Sequence, residues 1–215
     1  MAALDVPQGN VDALFRGGEL IVDLGCGDGS WLDRIAPRYR TAIGVDINRA
    51  PIDERPSGPD DWQFIHADLD AALPFDDGVA DAVRANQVIE HVREPAALLT
   101  EARRILRPGG LLVVTTPNVR YVSHLIRLIV LGRGPMTSAH EPGASHAWDD
   151  GHCHYFTPGD LRRIARSSGF ESIGMAALIA PTGRLQLIRP ILMRLSAAAP
   201  IREFLSGNTL MVAHR

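Results

Sequence analysis

Apolar runs and helical periodicities alternate along most of this chain. Residues 19–22 form a short run rich in β-branched residues that predicts a buried strand, and residues 30–35 take up helical spacing. The strand pattern returns at residues 41–46, 62–68 and 110–117, and Asp81-Ala82-Val83 opens another strand. Between them, residues 94–106 predict a helix with Pro95 in its first turn and Leu98, Leu99, Ala102, Ile105 and Leu106 on one face. Pro108-Gly109-Gly110 ends that helix. Residues 49–61, rich in proline and charge, predict a loop, and residues 11–15 a short flanking helix. Repeated strand-then-helix units imply an α/β fold with a mostly parallel sheet.

Past residue 117 the repeat breaks. Residues 119–131 predict an unusually apolar helix, and residues 132–155 a loop holding His140, His146, His152 and His154. Thr157-Pro158-Gly159-Asp160 is a helix start, and Gly169 stops the helix predicted over 161–168. A sixth strand over 170–179, a helix through 185–192 and a seventh strand over 209–213 complete the pattern.

The chain has 215 residues, 46% of them hydrophobic, which suits one core and a single domain over 1–215. A net charge of −3 argues against nucleic acid as a partner. All 22 basic residues are arginine, as expected of a GC-rich, actinobacterial genome. Two cysteines make no disulfide framework. With no charged-then-apolar leader and no apolar run of the ~18 residues that a membrane span needs, a cytoplasmic location is expected.

The chemistry begins at Val22-Asp23-Leu24-Gly25-Cys26-Gly27-Asp28-Gly29. A strand, a glycine turn and a helix bring backbone close to a nucleotide-like ligand, because glycine tolerates positive φ and has no Cβ. The spacing is G-x-G-x-G, however, and not the G-x-G-x-x-G of dinucleotide folds. Asp23 at the strand end would repel a pyrophosphate and suits a ligand with positive charge and hydroxyls. That description fits S-adenosylmethionine. Asp46 ends the second strand about 20 residues past the glycines, where a ribose diol would be gripped. Asp68-Leu69 ends the third strand, where an acid and an apolar residue could hold an adenine.

In motif order and spacing the chain resembles the class I S-adenosylmethionine-dependent methyltransferases. The resemblance implies a single-domain, Rossmann-like, seven-stranded sheet whose last strand is antiparallel. It also implies a cofactor site built from Asp23, Gly25, Cys26, Gly27, Asp46, Ile47, Asp68, Leu69 and Asn86, and an acceptor-site insertion at about 118–156. Gly25→Val is expected to block the cofactor while leaving the fold intact.

After the fourth strand, Gln87, Glu90 and His91 would share one face if the segment is helical. They resemble the E-x-x-E-H signature of a subset that includes ubiquinone-pathway O-methyltransferases and small-RNA 2′-O-methyltransferases. There the second acid and the histidine hold a divalent cation together with a later histidine. Gln87 replaces the first acid and brings no charge. His152 is the expected downstream partner, and His154 its competitor. The resemblance thus implies a metal set of Gln87, Glu90, His91 and His152 for Mg²⁺ or Mn²⁺, with Glu90, His91, His152 and His154 as catalytic candidates. A histidine base without metal and a purely structural role stay open.

The expected reaction is methylation of a hydroxyl on a small polyol or saccharide, since a sugar diol can chelate a cation. The rivals are a quinone-precursor or phenolic O-methyltransferase, a metal-independent C- or N-methyltransferase, and a non-catalytic cofactor-binding module. Asp149 and Asp150 could complete a metal shell, hold sugar hydroxyls or form a solvent-facing acidic turn. The apolar helix over 119–131 reads as core, as a lid, or as a surface for a dimer partner or a lipid-linked substrate. The loop over 132–155 is expected to cover the acceptor.

Overall fold

The computed structural model describes residues 10–54, 62–134, 137, 148–178 and 204–215. Its strands are β1 (Gly18–Leu24), β2 (Tyr39–Asp46), β3 (Gln63–His66), β4 (Ala80–Asn86), β5 (Leu106–Pro117), β6 (Ser172–Leu178) and β7 (Asn208–His214). The helices are α1 (Ser30–Ile35), α2 (Ala50–Asp53), α3 (Pro95–Ile105), α4 (Val122–Val130) and α5 (Pro158–Ser167). All seven strands form one sheet in the order β3-β2-β1-β4-β5-β7-β6. β7 runs antiparallel to both of its neighbours, and the remaining pairs are parallel. This is the expected Rossmann-like α/β fold.

Central parallel strands are buried on both faces, so they read as continuous apolar runs. β1 shows how the two faces divide. Val22 and Leu24 enter one core with Val83, Leu98, Leu99, Ile105, Leu112 and Phe170. Ile21 enters the other, with Phe15, Trp31, Leu32, Ile35 and Val113. Period-two alternation puts Asp23 on the Ile21 face, under α1.

Helix ends follow the local signals. Thr157 and Asp160 form a reciprocal capping box at α5, and Gly169 leaves it at φ +90°. Two expectations change. Within the segment expected as a loop, the described residues 49–54 hold a helical turn, α2, opened by Arg49 and carrying Pro51. Residues 87–91 are not helical: Gln87 sits at φ +55°, and its backbone N–H donates to the Thr115 carbonyl. That pairing prolongs the β5 contact for one residue and prevents a helix from starting. Among the described residues of 132–155, Trp148–Gly151 form a short 3-10 helix. His140, His146 and the helix expected over 185–192 lie outside the described residues.

β2 lies on one side of β1 and β4 on the other. Connections leaving a strand pair in opposite directions open a crevice at the strands' carboxyl ends, and ligands of open α/β sheets bind there.

Candidate active site

The crevice is a cavity of about 320 Å³ lined by Gly25, Asp46, Ile47, Asp68, Leu69, Asp70, Gln87, Val88, His91 and Val92. Seven of the residues singled out from the sequence meet in it: Gly25, Asp46, Ile47, Asp68, Leu69, Gln87 and His91. Asp46 accepts from the Gly27 backbone N–H at 2.9 Å through Oδ2 and from that of Asn48 at 2.8 Å through Oδ1. The aspartate thereby ties the glycine turn to the end of β2. Ile47 is 60% exposed beside it, an apolar surface suited to a flat ring.

Gly25 has φ +69°, and a Cβ there would lie 2.3 Å from Val88 Cγ2. The glycine is therefore required by packing as well as by backbone conformation, and Gly25→Val would not leave the fold intact. Gly25→Ala is expected to lower stability by about 2–3 kcal/mol, combining left-handed strain with overpacking. A urea-melt midpoint equal to that of the parent chain would contradict this.

The remaining expected cofactor residues stand back from the cavity. Cys26 is buried, and burial first, then Asp23 and Asp46, pushes its thiol up to about 12. Asn86 Oδ1 accepts from the Thr115 hydroxyl at 2.6 Å. Asp23 is 0% exposed, and both of its oxygens accept from Arg84 Nη1 at 2.9 Å. Burial pushes its carboxyl up to about 6 although Arg84 pulls it down. The Arg84 guanidinium also lies 4.1 Å from the centre of the Trp31 ring. Sequence reading passed over Arg84, yet an arginine between Val83 and Ala85 inside a buried strand was a signal.

A second cluster adjoins the cavity through His91. Glu90, His91 and His152 each present one donor atom, and the three atoms lie within 4.8 Å of one another. Glu90 is 1% exposed; its Oε2 accepts from the Thr116 hydroxyl at 3.0 Å, and its Oε1 has no hydrogen-bond partner among the described residues. Burial pushes this carboxyl up to about 7. The His91 and His152 rings meet edge to face at 4.7 Å. What joins residues 62 positions apart is the Glu90 carbonyl, which accepts from the backbone N–H groups of Cys153 and His154 at 2.8 and 3.1 Å. His154 points elsewhere, with Nε2 3.2 Å from the Arg93 carbonyl and its ring stacked on Phe156. Gln87 Nε2 donates to Thr115 Oγ1 at 3.3 Å. A buried, unpartnered carboxylate oxygen facing two imidazoles is a donor set that fits a divalent cation.

The methyltransferase-domain family model matches residues 7–173. The chain belongs to the class I S-adenosylmethionine-dependent methyltransferases. A probable S-adenosylmethionine-dependent methyltransferase of Mycolicibacterium smegmatis is 38% identical over 101 residues, 47% of this chain and 39% of that protein. The matches to this and similar relatives span about a third of their length, from 33% to 39%. A demethylmenaquinone methyltransferase of Clavibacter sepedonicus is 30% identical across 80% of this chain and 78% of its own. A ubiquinone biosynthesis O-methyltransferase of Thiobacillus denitrificans is 29% identical across 72% of this chain and 66% of its own. In fold, the methyltransferase matches a Mesorhizobium loti S-adenosylmethionine-dependent methyltransferase at TM-score 0.69 and 20% identity, over 97% of this chain and 96% of that one.

Proposed function

We propose that this methyltransferase moves the methyl group of S-adenosylmethionine to a hydroxyl of a small acceptor, with a divalent cation held by Glu90, His91 and His152. The observation that carries the reading is the convergence of those three donors, one an unpartnered buried carboxylate oxygen, at the edge of an acidic cavity. Three aspartates line that cavity, which suits a sulfonium and a ribose and disfavours a pyrophosphate.

Each residue then has a task. Asp46 is set to accept from the ribose hydroxyls, since each of its oxygens takes only one backbone N–H and keeps lone pairs to spare. Asp68 and Leu69 are set against the adenine. Asp23 acts from below, its charge matched by Arg84, and holds the strand end from which the glycine turn departs. A bound cation lowers the cost of ionising the acceptor hydroxyl. The methyl group leaves the sulfur and bonds to the acceptor oxygen, the hydroxyl proton passes to solvent water, and a neutral thioether remains. Gln87 has its amide oxygen to offer to the same shell. Residues 118–156 supply the acceptor side, with His152 at its edge.

Among acceptors, the hydroxylated ring of a quinone precursor is better supported than a saccharide. Relatives named for ubiquinone and demethylmenaquinone chemistry match over 72% and 80% of the chain. α4, which follows β5, also exposes Ile126, Ile129 and Val130, and these could receive an apolar substituent. Among the described residues no helix is long and apolar enough to cross a membrane.

The test is methyl transfer from labelled S-adenosylmethionine to a panel of vicinal phenols and monosaccharides, each with EDTA or with Mn²⁺. Transfer to a phenolic hydroxyl, lost in EDTA and restored by Mn²⁺, is expected. Full turnover in EDTA would remove the cation, and transfer confined to the sugars would reverse the choice of acceptor. Asp46→Ala is expected to weaken S-adenosylmethionine binding roughly tenfold to a hundredfold, the worth of one charge-assisted hydrogen bond. Calorimetry giving an unchanged Kd would take Asp46 out of the site.

A further inference from the structure

Asp149 is an anomaly that the proposed reaction does not use. Its side chain is almost completely buried, and its backbone sits at φ +46°, a region that residues with a Cβ enter at a cost. Such strain persists where the surroundings hold it in place. Both carboxylate oxygens accept from the Thr137 backbone N–H at 2.9 Å. The Thr137 hydroxyl lies 3.0 Å from Asp149 Oδ2 and 2.8 Å from His152 Nδ1. Asp149 Oδ2 is itself 3.3 Å from that nitrogen, and the His152 side chain is only 7% exposed.

The proton count settles which way these bonds run. A carboxylate can only accept, and a hydroxyl has one proton to give. Were it given to Nδ1 instead, Asp149 Oδ2 would face an acceptor oxygen at 3.0 Å and an acceptor nitrogen at 3.3 Å; with the proton donated to Asp149 Oδ2, the Thr137 oxygen accepts from a hydrogen on His152 Nδ1 and both contacts are favourable. A neutral imidazole protonated on Nδ1 has its lone pair on Nε2.

We propose that Thr137 and Asp149 are positioning residues that lock His152 as the Nδ1–H tautomer and leave Nε2 bare for the Glu90–His91 cluster. Neither is among the residues lining the cavity, and both act through the ring they orient. A cation-binding or proton-accepting imidazole needs a bare nitrogen, and partners on its other nitrogen both fix the ring and raise its basicity. The role for that nitrogen rests on the cation reading above, whereas the tautomer itself does not.

The experiment therefore has two readouts on the full chain. Long-range ¹H–¹⁵N correlation of the imidazoles, at a pH where His152 is neutral, reports the tautomer without any metal. The parent chain and Thr137→Ser, which keeps the hydroxyl, are expected to show the Nδ1–H form. Thr137→Val and Asp149→Asn are expected to lose it or to show a mixture. Calorimetry with Mn²⁺ alone should then show affinity lower by about 10- to 100-fold in Thr137→Val, and restored in Thr137→Ser. An Nε2–H tautomer in the parent chain overturns the proposal, as does a Thr137→Val chain that keeps both the Nδ1–H form and the Mn²⁺ affinity. The Nδ1–H tautomer in a chain that takes up no Mn²⁺ removes the cation reading and leaves the positioning pair standing. Should Asp149→Asn fail to fold, Thr137→Val carries the test alone, because it removes one hydroxyl and preserves shape.

Discussion

Arg84→Met is expected to destabilise the fold by about 3–5 kcal/mol, the usual cost of breaking a buried ion pair from one side. Asp23 and Arg84 face each other across β1 and β4, and the aspartate has no access to solvent. Without the guanidinium, Asp23 must either stay charged in an apolar layer or take up a proton. Methionine fills much of the arginine's volume and can still lie against Trp31, so the loss reports charge more than packing. The double variant Asp23→Asn/Arg84→Met should recover part of the stability, since no unpaired charge is then buried. Urea unfolding of the two variants decides it. A single variant within about 1 kcal/mol of the parent, inside the usual range for exposed pairs, would show that the pair contributes little.

The second large effect concerns Glu90. Glu90→Gln is expected to lower methyl transfer by about a hundredfold or more, because the orphan oxygen is where the cation charge would be met. The same change should stabilise the metal-free chain at alkaline pH. Burial raises the Glu90 carboxyl from 4.5 to about 7 in the folded chain. A folded-state value above the unfolded one means that the group's contribution is fully present below about pH 4.5 and is lost as pH rises through about 7. At about 1.4 kcal/mol per pK unit, the interval corresponds to about 3 kcal/mol. Metal-free parent and Glu90→Gln chains should therefore diverge between pH 5 and pH 8, with the variant gaining. Melting curves that stay parallel across that range would show that Glu90 meets no desolvation penalty.

The two predictions bear on different layers of the molecule, and those layers were unequally legible. The strands could be read because buried parallel strands leave apolar runs, and residues 20–22 and 42–45 are such runs inside β1 and β2. The glycine turn and the α5 cap were equally plain. Gly25 needs positive φ, and Thr157 with Asp160 satisfies backbone groups only three residues apart. Asp46, Asp68 and Leu69 could be expected to line one crevice, as they do, because the carboxyl end of a parallel strand is a fixed address in this fold. The supposed helix at residues 87–91 failed for the opposite reason. Periodicity describes which side chains could share a face, but Gln87 gives its backbone N–H to Thr115, a partner 28 residues away.

By itself, then, the chain's pattern of apolar runs, glycines and caps determined the sheet, the family and the floor of the cofactor crevice. Those features depend on interactions within a few residues or on one buried stripe. Which charges meet was left to the tertiary structure. Asp23 finds Arg84 only because β1 and β4 are neighbours in register. His152 rather than His154 reaches Glu90 and His91 only because the Glu90 carbonyl is bound by the amides of Cys153 and His154. Partners so far apart in sequence leave no periodic trace, because their spacing is set by chain crossings and not by the repeat of a helix or a strand.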